Sequence, residues 1–178
     1  MKIGIDISQL AYKETGVGNY LENLIHNLLK VDKKNEYIFF FSSMRRNIDL
    51  SIFNSQENPK LRIKTFKMPP SLLSFIWNDL HMMPIEWLIG DVDFFITSDW
   101  TEPPVKKAKK ATIIYDLTVY KTPKEMDKKI IETQKRKLHW VKKESDIVFC
   151  ISESAKKDIS EILEIPKNKI KVIYPGIS

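Results

Sequence analysis

The chain has one cysteine, five glycines and three histidines in 178 residues, and each scarcity closes off a class of explanation. A lone Cys150, set in "IVFC", cannot close an internal disulfide or make a zinc site by itself, so it reads as a small buried apolar residue. His26, His81 and His139 have no partners at metal-ligand spacing, and no metal site is expected. The glycines form no G-x-G-x-x-G fingerprint, and no G-K-[ST] follows them, which disfavours a classical NAD site and a P-loop. A G-x-S-x-G elbow, a convincing Cys-His arrangement and an internal repeat are also missing. No uninterrupted apolar run reaches about 18 residues, which argues against a membrane-spanning helix. The opening "MKIGIDIS" is too short for a secretory signal core, so a cytoplasmic location is expected.

What is present describes one well-cored globular domain, with 43% hydrophobic and 29% charged residues. The formal charge of +6 comes with lysine runs such as "VKKAKK" and "KRKLHWVKK". These runs suit a solvated face, and their field would attract an anionic membrane surface, a phosphorylated ligand or nucleic acid. No recognition helix or aromatic RNA motif accompanies them, so nucleic acid ranks last among these partners.

Strand and helix signals alternate along the chain. "KIGIDI" reads as a buried first strand, and Val17, Tyr20, Leu21, Leu24, Ile25, Leu28 and Leu29 mark one face of a helix. "EYIFFFS" reads as a second strand and "KLRIKTFKM" as a third with one exposed side. "SLLSFIWNDLHMMPIEWLIG" should form one or two helices interrupted at Pro84. "VDFFITS" and "ATIIYD" follow as strands around a proline-bearing loop. Thr122-Pro123 should then open a long helix running to about Lys143. "DIVFCIS" is another strand, Ser152 a natural cap for the next helix, and "KIKVIYPG" a last strand stopping at Pro175-Gly176. The expected architecture is a doubly wound α/β domain, a mostly parallel sheet with helices on both faces.

Ligands in such a sheet collect beyond the carboxyl ends of the strands. In the first of those loops, Gly16-Val17-Gly18 stands at a helix N-terminus, where unpaired N–H groups and a partial positive charge suit an anion. Plain loop geometry explains the glycines equally well. Asp99, Trp100, Thr101 and Glu102 follow "FFITS"; an aromatic plate beside carboxylates suits a sugar, while an exposed turn is the simpler account. Asp6 could line the cleft or secure its loop through backbone N–H groups.

Four segments in order, "GIDISQLAYKETGVGNYLENLIHNLL", "DLTVYKTPKEM", "ESDIVFCISESAKKDISEIL" and "NKIKVIYPGIS", resemble the N-terminal domain of retaining glycosyltransferases of family 4, which have the GT-B fold. The resemblance spans nearly the whole chain. It implies a Rossmann-like acceptor-side domain over residues 1–173, an interdomain linker starting at 174–178, and a C-terminal donor-binding domain as partner. It further implies that Gly16, Val17, Gly18 and Asn19 approach the donor's phosphates or sugar, and that Asp99, Trp100, Glu102, Ser152 and Glu153 lie by the acceptor or cleft. The donor would be a nucleotide sugar used without metal or other cofactor, and the acceptor a sugar or lipid-linked hydroxyl. Where the family commonly has a His-Asp pair, this chain has Tyr115-Asp116, and a phenol does not titrate near neutrality as imidazole does. Tyr115 and Asp116 are therefore weak catalytic candidates. By itself the chain is expected to be folded and inactive. The apolar excess of Leu72, Leu73, Phe75, Ile76, Trp77, Leu80, Met82 and Met83 suits a core helix or, as in family members acting on lipid-linked acceptors, peripheral contact with an anionic membrane at the inner face. A noncatalytic basic module binding lipid or protein is the alternative.

Overall fold

The computed structural model describes residues 1–12, 15–49, 53, 59–98 and 100–176. Seven strands form one all-parallel sheet: β1 (Lys2–Asp6), β2 (Glu36–Ser42), β3 (Leu61–Phe66), β4 (Phe94–Thr97), β5 (Lys109–Ile114), β6 (Ile147–Cys150) and β7 (Ile170–Val172). Their order is β3-β2-β1-β4-β5-β6-β7, so the chain winds outward from β1 to β3, returns to the centre at β4 and winds the other way. The expected Rossmann-like α/β domain is what forms. β2 is buried from its second residue onward because it is apolar on both faces, whereas edge strand β3 exposes alternate polar residues.

Strand alternation sends side chains to two cores. Ile5, Ile7, Tyr37, Phe39, Phe41 and Ile113 face α1 (Gly16–Val31), which buries Leu21 and Ile25 against them. Ile38, Phe40 and Phe95 face the other way, onto Leu73 of α2 (Pro70–Ser74) and Ile89 of α3 (Glu86–Ile89). A Cβ at Gly4 would lie 2.6 Å from the Phe95 ring, so the strand needs glycine there. Past the short α4 (Thr118–Lys121), α5 (Lys128–Glu144) and α6 (Glu153–Ile162) pack on β5 and β6 through Leu138, Val141, Ala155 and Ile159.

Several boundaries depart from expectation. The helix foreseen from Thr122-Pro123 begins at Lys128, because the Asp127 carboxylate caps it by accepting from the Lys129 N–H at 2.7 Å. Pro123 opens only a 3-10 turn, Pro123–Glu125. α2 runs into a π turn, Phe75–Asp79, and the chain then breaks around Pro84 as expected. β7 ends at Val172, ahead of Pro175-Gly176; of the foreseen linker, Ile177 and Ser178 lie outside the described residues. Among the described residues, no helix is long and apolar enough to cross a membrane.

Candidate functional site

The winding direction reverses between β1 and β4, so the loops leaving their carboxyl ends run to opposite sides and leave a crevice. Asp6, Gln9, Ser42, Arg46, Ser98 and Trp100 line it. Asp6 is buried and its carboxylate accepts from the Ser8 N–H at 2.8 Å, securing the loop as foreseen.

The loop after β4 is not the exposed turn that seemed simplest. Ser98, Thr101 and Glu102 are all buried, Glu102 completely at 0% exposure. The Glu102 carboxylate accepts from the Thr97 and Thr112 hydroxyls, each at 2.8 Å, and faces the Lys110 ammonium at 3.3 Å. Glu102 is therefore a core anchor and turns away from the crevice that the resemblance assigned to it. Asn78 holds the same loop twice, donating to the Trp100 carbonyl at 2.8 Å and accepting from the Glu102 N–H at 2.9 Å. Lys137 on α5, 2% exposed, donates to the Ser98 carbonyl at 2.8 Å. Between these clamps Trp100 remains half-buried and open to the crevice. Asp99 lies outside the described residues.

A wider cleft runs along the N-terminal half of α1. Gly16, Val17 and Asn19 line it together with Tyr115, Asp116 and the exit segment from Ile173 to Gly176. Five of the foreseen residues are thus gathered in one place. Gly18 is different: it is buried, and a Cβ there would lie 2.8 Å from the Tyr12 carbonyl, so it lets the helix pack on its own loop. Nothing comes within 4 Å of a Cβ at Gly16. Thr15 caps α1 by accepting the Gly18 N–H on its hydroxyl at 3.1 Å, and its carbonyl accepts the Asn19 N–H at 3.0 Å. An anion entering here would meet the Gly16 and Val17 N–H groups instead.

Tyr115 is buried edge-on against Tyr20, ring centroids 5.5 Å apart. Burial, with a smaller contribution from Cys150, pushes the Tyr20 phenol up, and its hydroxyl donates to the Ile173 carbonyl at 3.0 Å. Asp116 is exposed to the cleft while one carboxylate oxygen accepts from the Thr118 N–H at 2.8 Å, so it both lines the cleft and starts α4. Ser152 caps α6 by accepting from the Ala155 N–H at 3.1 Å, and Glu153 is exposed on that helix's first turn. A third pocket, lined by Val17, Trp100, Tyr115, Asp116 and Lys137, shares Trp100 with the crevice and Val17, Tyr115 and Asp116 with the cleft.

No protein-family model matches this chain, and no curated protein matches it.

Sequence reasoning missed the buried polar chain that supports the crevice. Lys110, fully buried, also donates to Glu144 at 3.0 Å, and Glu144 meets His81 Nε2 at 2.7 Å. Burial pushes the Glu144 carboxyl up, but the Lys110 ammonium and the His81 ring outweigh it and hold the group below its ordinary value. His81 stacks on Trp140 at 3.5 Å with its Nδ1 hydrogen-bonded to the Trp77 carbonyl. Signals for both lysines were present: alternation puts Lys110 on the face of Thr112 and Ile114, and Lys137 lies one turn before Val141 on the buried stripe of α5. Among the described residues, no three His, Cys, Asp or Glu side chains converge as a metal site would require.

Proposed function

We propose that this chain is the acceptor-side domain of a retaining glycosyltransferase, which moves a sugar from a nucleotide-sugar donor to a hydroxyl acceptor once a donor-binding domain joins it. The observation that carries this reading is the junction at the carboxyl ends of the strands. There the helix N-terminus at Gly16 and Val17 lines one cleft with Tyr115 and Asp116, and a neighbouring pocket shares Val17, Tyr115 and Asp116 with that cleft and Trp100 with the crevice. Backbone donors at Gly16 and Val17 would take charge from a leaving diphosphate, which is the part of the work that preorganised dipoles perform in a water-poor site. Holding acceptor and donor together would supply much of the remaining rate advantage. No residue of this chain is assigned as general base, because the Asp116 carboxylate is engaged in its turn.

The test is sugar transfer from a panel of uridine- and guanosine-diphosphate sugars. The 178-residue chain alone should transfer nothing, and the chain paired with a donor-binding domain, in one polypeptide or as a separate subunit, should transfer one of them. Activity of the chain alone would refute the half-site reading; no transfer from any donor once a donor-binding domain is paired with the chain would refute the whole proposal.

A second reading has its own observation. Leu72, Phe75, Leu80, Met82 and Trp87 are exposed within one short stretch, and the Lys106 ammonium sits 5.1 Å from the Trp87 ring centroid. An apolar, lysine-flanked surface of this kind suits peripheral contact with an anionic bilayer, either beside the transfer reaction or as the sole role of a lipid-binding module. Co-sedimentation with phosphatidylglycerol vesicles should remove the chain from the supernatant; equal recovery with and without vesicles would end this reading.

A further inference from the structure

Trp100 stands where three hollows meet: the crevice between β1 and β4, the pocket below Tyr115, and a groove between α2 and α5. Its loop backbone is held by the Asn78 and Lys137 hydrogen bonds described above, so the point from which the indole projects is set before any ligand arrives. The groove is also lined by Phe75, which is 53% exposed, and by Ile130. Asp79 and Arg136 also line it and pair at 2.9 Å, with side chains 33% and 38% exposed.

We infer that the groove between α2 and α5 is a second sugar subsite, so that the acceptor is an oligosaccharide of at least two units passing over Trp100. This rests on the glycosyl-transfer reading and names its acceptor. A pyranose ring has apolar C–H faces and a rim of hydroxyls. The groove answers both, with aromatic rings at Tyr12, Phe75 and Trp100 as plates and, along its edge, the hydroxyls of Ser74 and Thr133. The Asp79 carboxylate can accept from neighbouring sugar hydroxyls and the Arg136 guanidinium can donate to them, each fixed in orientation by the other. An alkyl tail would call for a wall of flexible aliphatic side chains, and this groove offers only Ile130 and the stem of Lys129 beside the rigid Pro70 among the described residues.

The experiment is amide and indole NMR on the isotopically labelled chain with paired probes: methyl glucoside against maltotriose and cellotriose, N-acetylglucosamine against chitotriose, and octyl glucoside as the alkyl probe. At least one trisaccharide should shift the Trp100 indole together with the Phe75, Ile130 and Thr133 amides, while its monosaccharide moves only residues of the crevice. Trp100→Ala and the surface change Phe75→Ala should each weaken trisaccharide binding, the former by about tenfold. Trisaccharide shifts confined to the crevice would overturn the inference and leave the transfer reading standing; no shift from any sugar would overturn both. Groove shifts from octyl glucoside without any from the trisaccharides would assign the groove to a lipid tail and also overturn it.

Discussion

Replacing Lys110 by methionine isolates the energetic cost of the ionic chain beneath the crevice. The Lys110 ammonium is fully buried, 3.0 Å from Glu144 and 3.3 Å from the equally buried Glu102. Methionine fills nearly the same volume, so the loss is electrostatic and not a cavity. Glu144 keeps His81 and partial solvent access, and its side chain is 29% exposed. Glu102 keeps only neutral hydroxyl donors for a charge with no access to water. Breaking a buried pair from one side costs about 3–5 kcal/mol. For a chain of this size that corresponds to a fall in Tm of roughly 10 °C. The double variant Lys110→Met with Glu102→Gln removes the stranded charge and should recover about 2 kcal/mol of the loss, a coupling that independent sites would not show. Urea unfolding of wild type, both single variants and the double variant measures all of these terms. A cost below about 1 kcal/mol for Lys110→Met, or a double variant no more stable than it, would refute the reasoning.

The two glycines at the head of α1 should separate cleanly in the same assay. Gly18→Ala places a Cβ against the Tyr12 carbonyl and should cost about 1–3 kcal/mol, whereas Gly16→Ala enters open space and should be neutral or slightly stabilising; the reverse order would contradict the packing. The Glu144 carboxyl is held below its ordinary value, so its contribution is complete above the unfolded carboxyl's titration and is lost as pH falls through the folded one. Glu144→Gln should therefore flatten the loss of stability below about pH 4.5, and acid limbs of equal slope in the two proteins would count against the pairing. Burial pushes the Cys150 thiol up, so a disulfide exchange reagent should react with it only as the chain unfolds; prompt reaction of the native protein would show the thiol to be accessible.

The sheet was legible because its signal is local. "EYIFFFS" is apolar on both faces and became a central strand, while "KLRIKTF" alternates and became the edge. The α5 boundary was missed because two start signals competed, and the Asp127 side chain made a capping bond that Pro123 cannot make. At the site, the gathering of Gly16, Val17 and Asn19 with Tyr115 and Asp116 followed from strand order, since each residue lies just past a strand's carboxyl end or at the helix next to it. Glu102 was not legible in this way, and for Lys110 strand alternation indicated the face but not the partners. The burial of both depends on Thr97, Thr112, Asn78 and Glu144 converging from four separate parts of the chain. The paired glycines divide along the same line: a G-x-G pattern does not say which glycine meets solvent and which meets the Tyr12 carbonyl.

The most direct test of the central claim is the anomeric configuration of the glycoside formed when the chain, paired with a donor-binding domain, is given a nucleotide-sugar donor and an acceptor. Proton NMR of the first product should show the configuration of the donor retained. An inverted product, or no glycoside from any donor with the second domain present, would contradict the account.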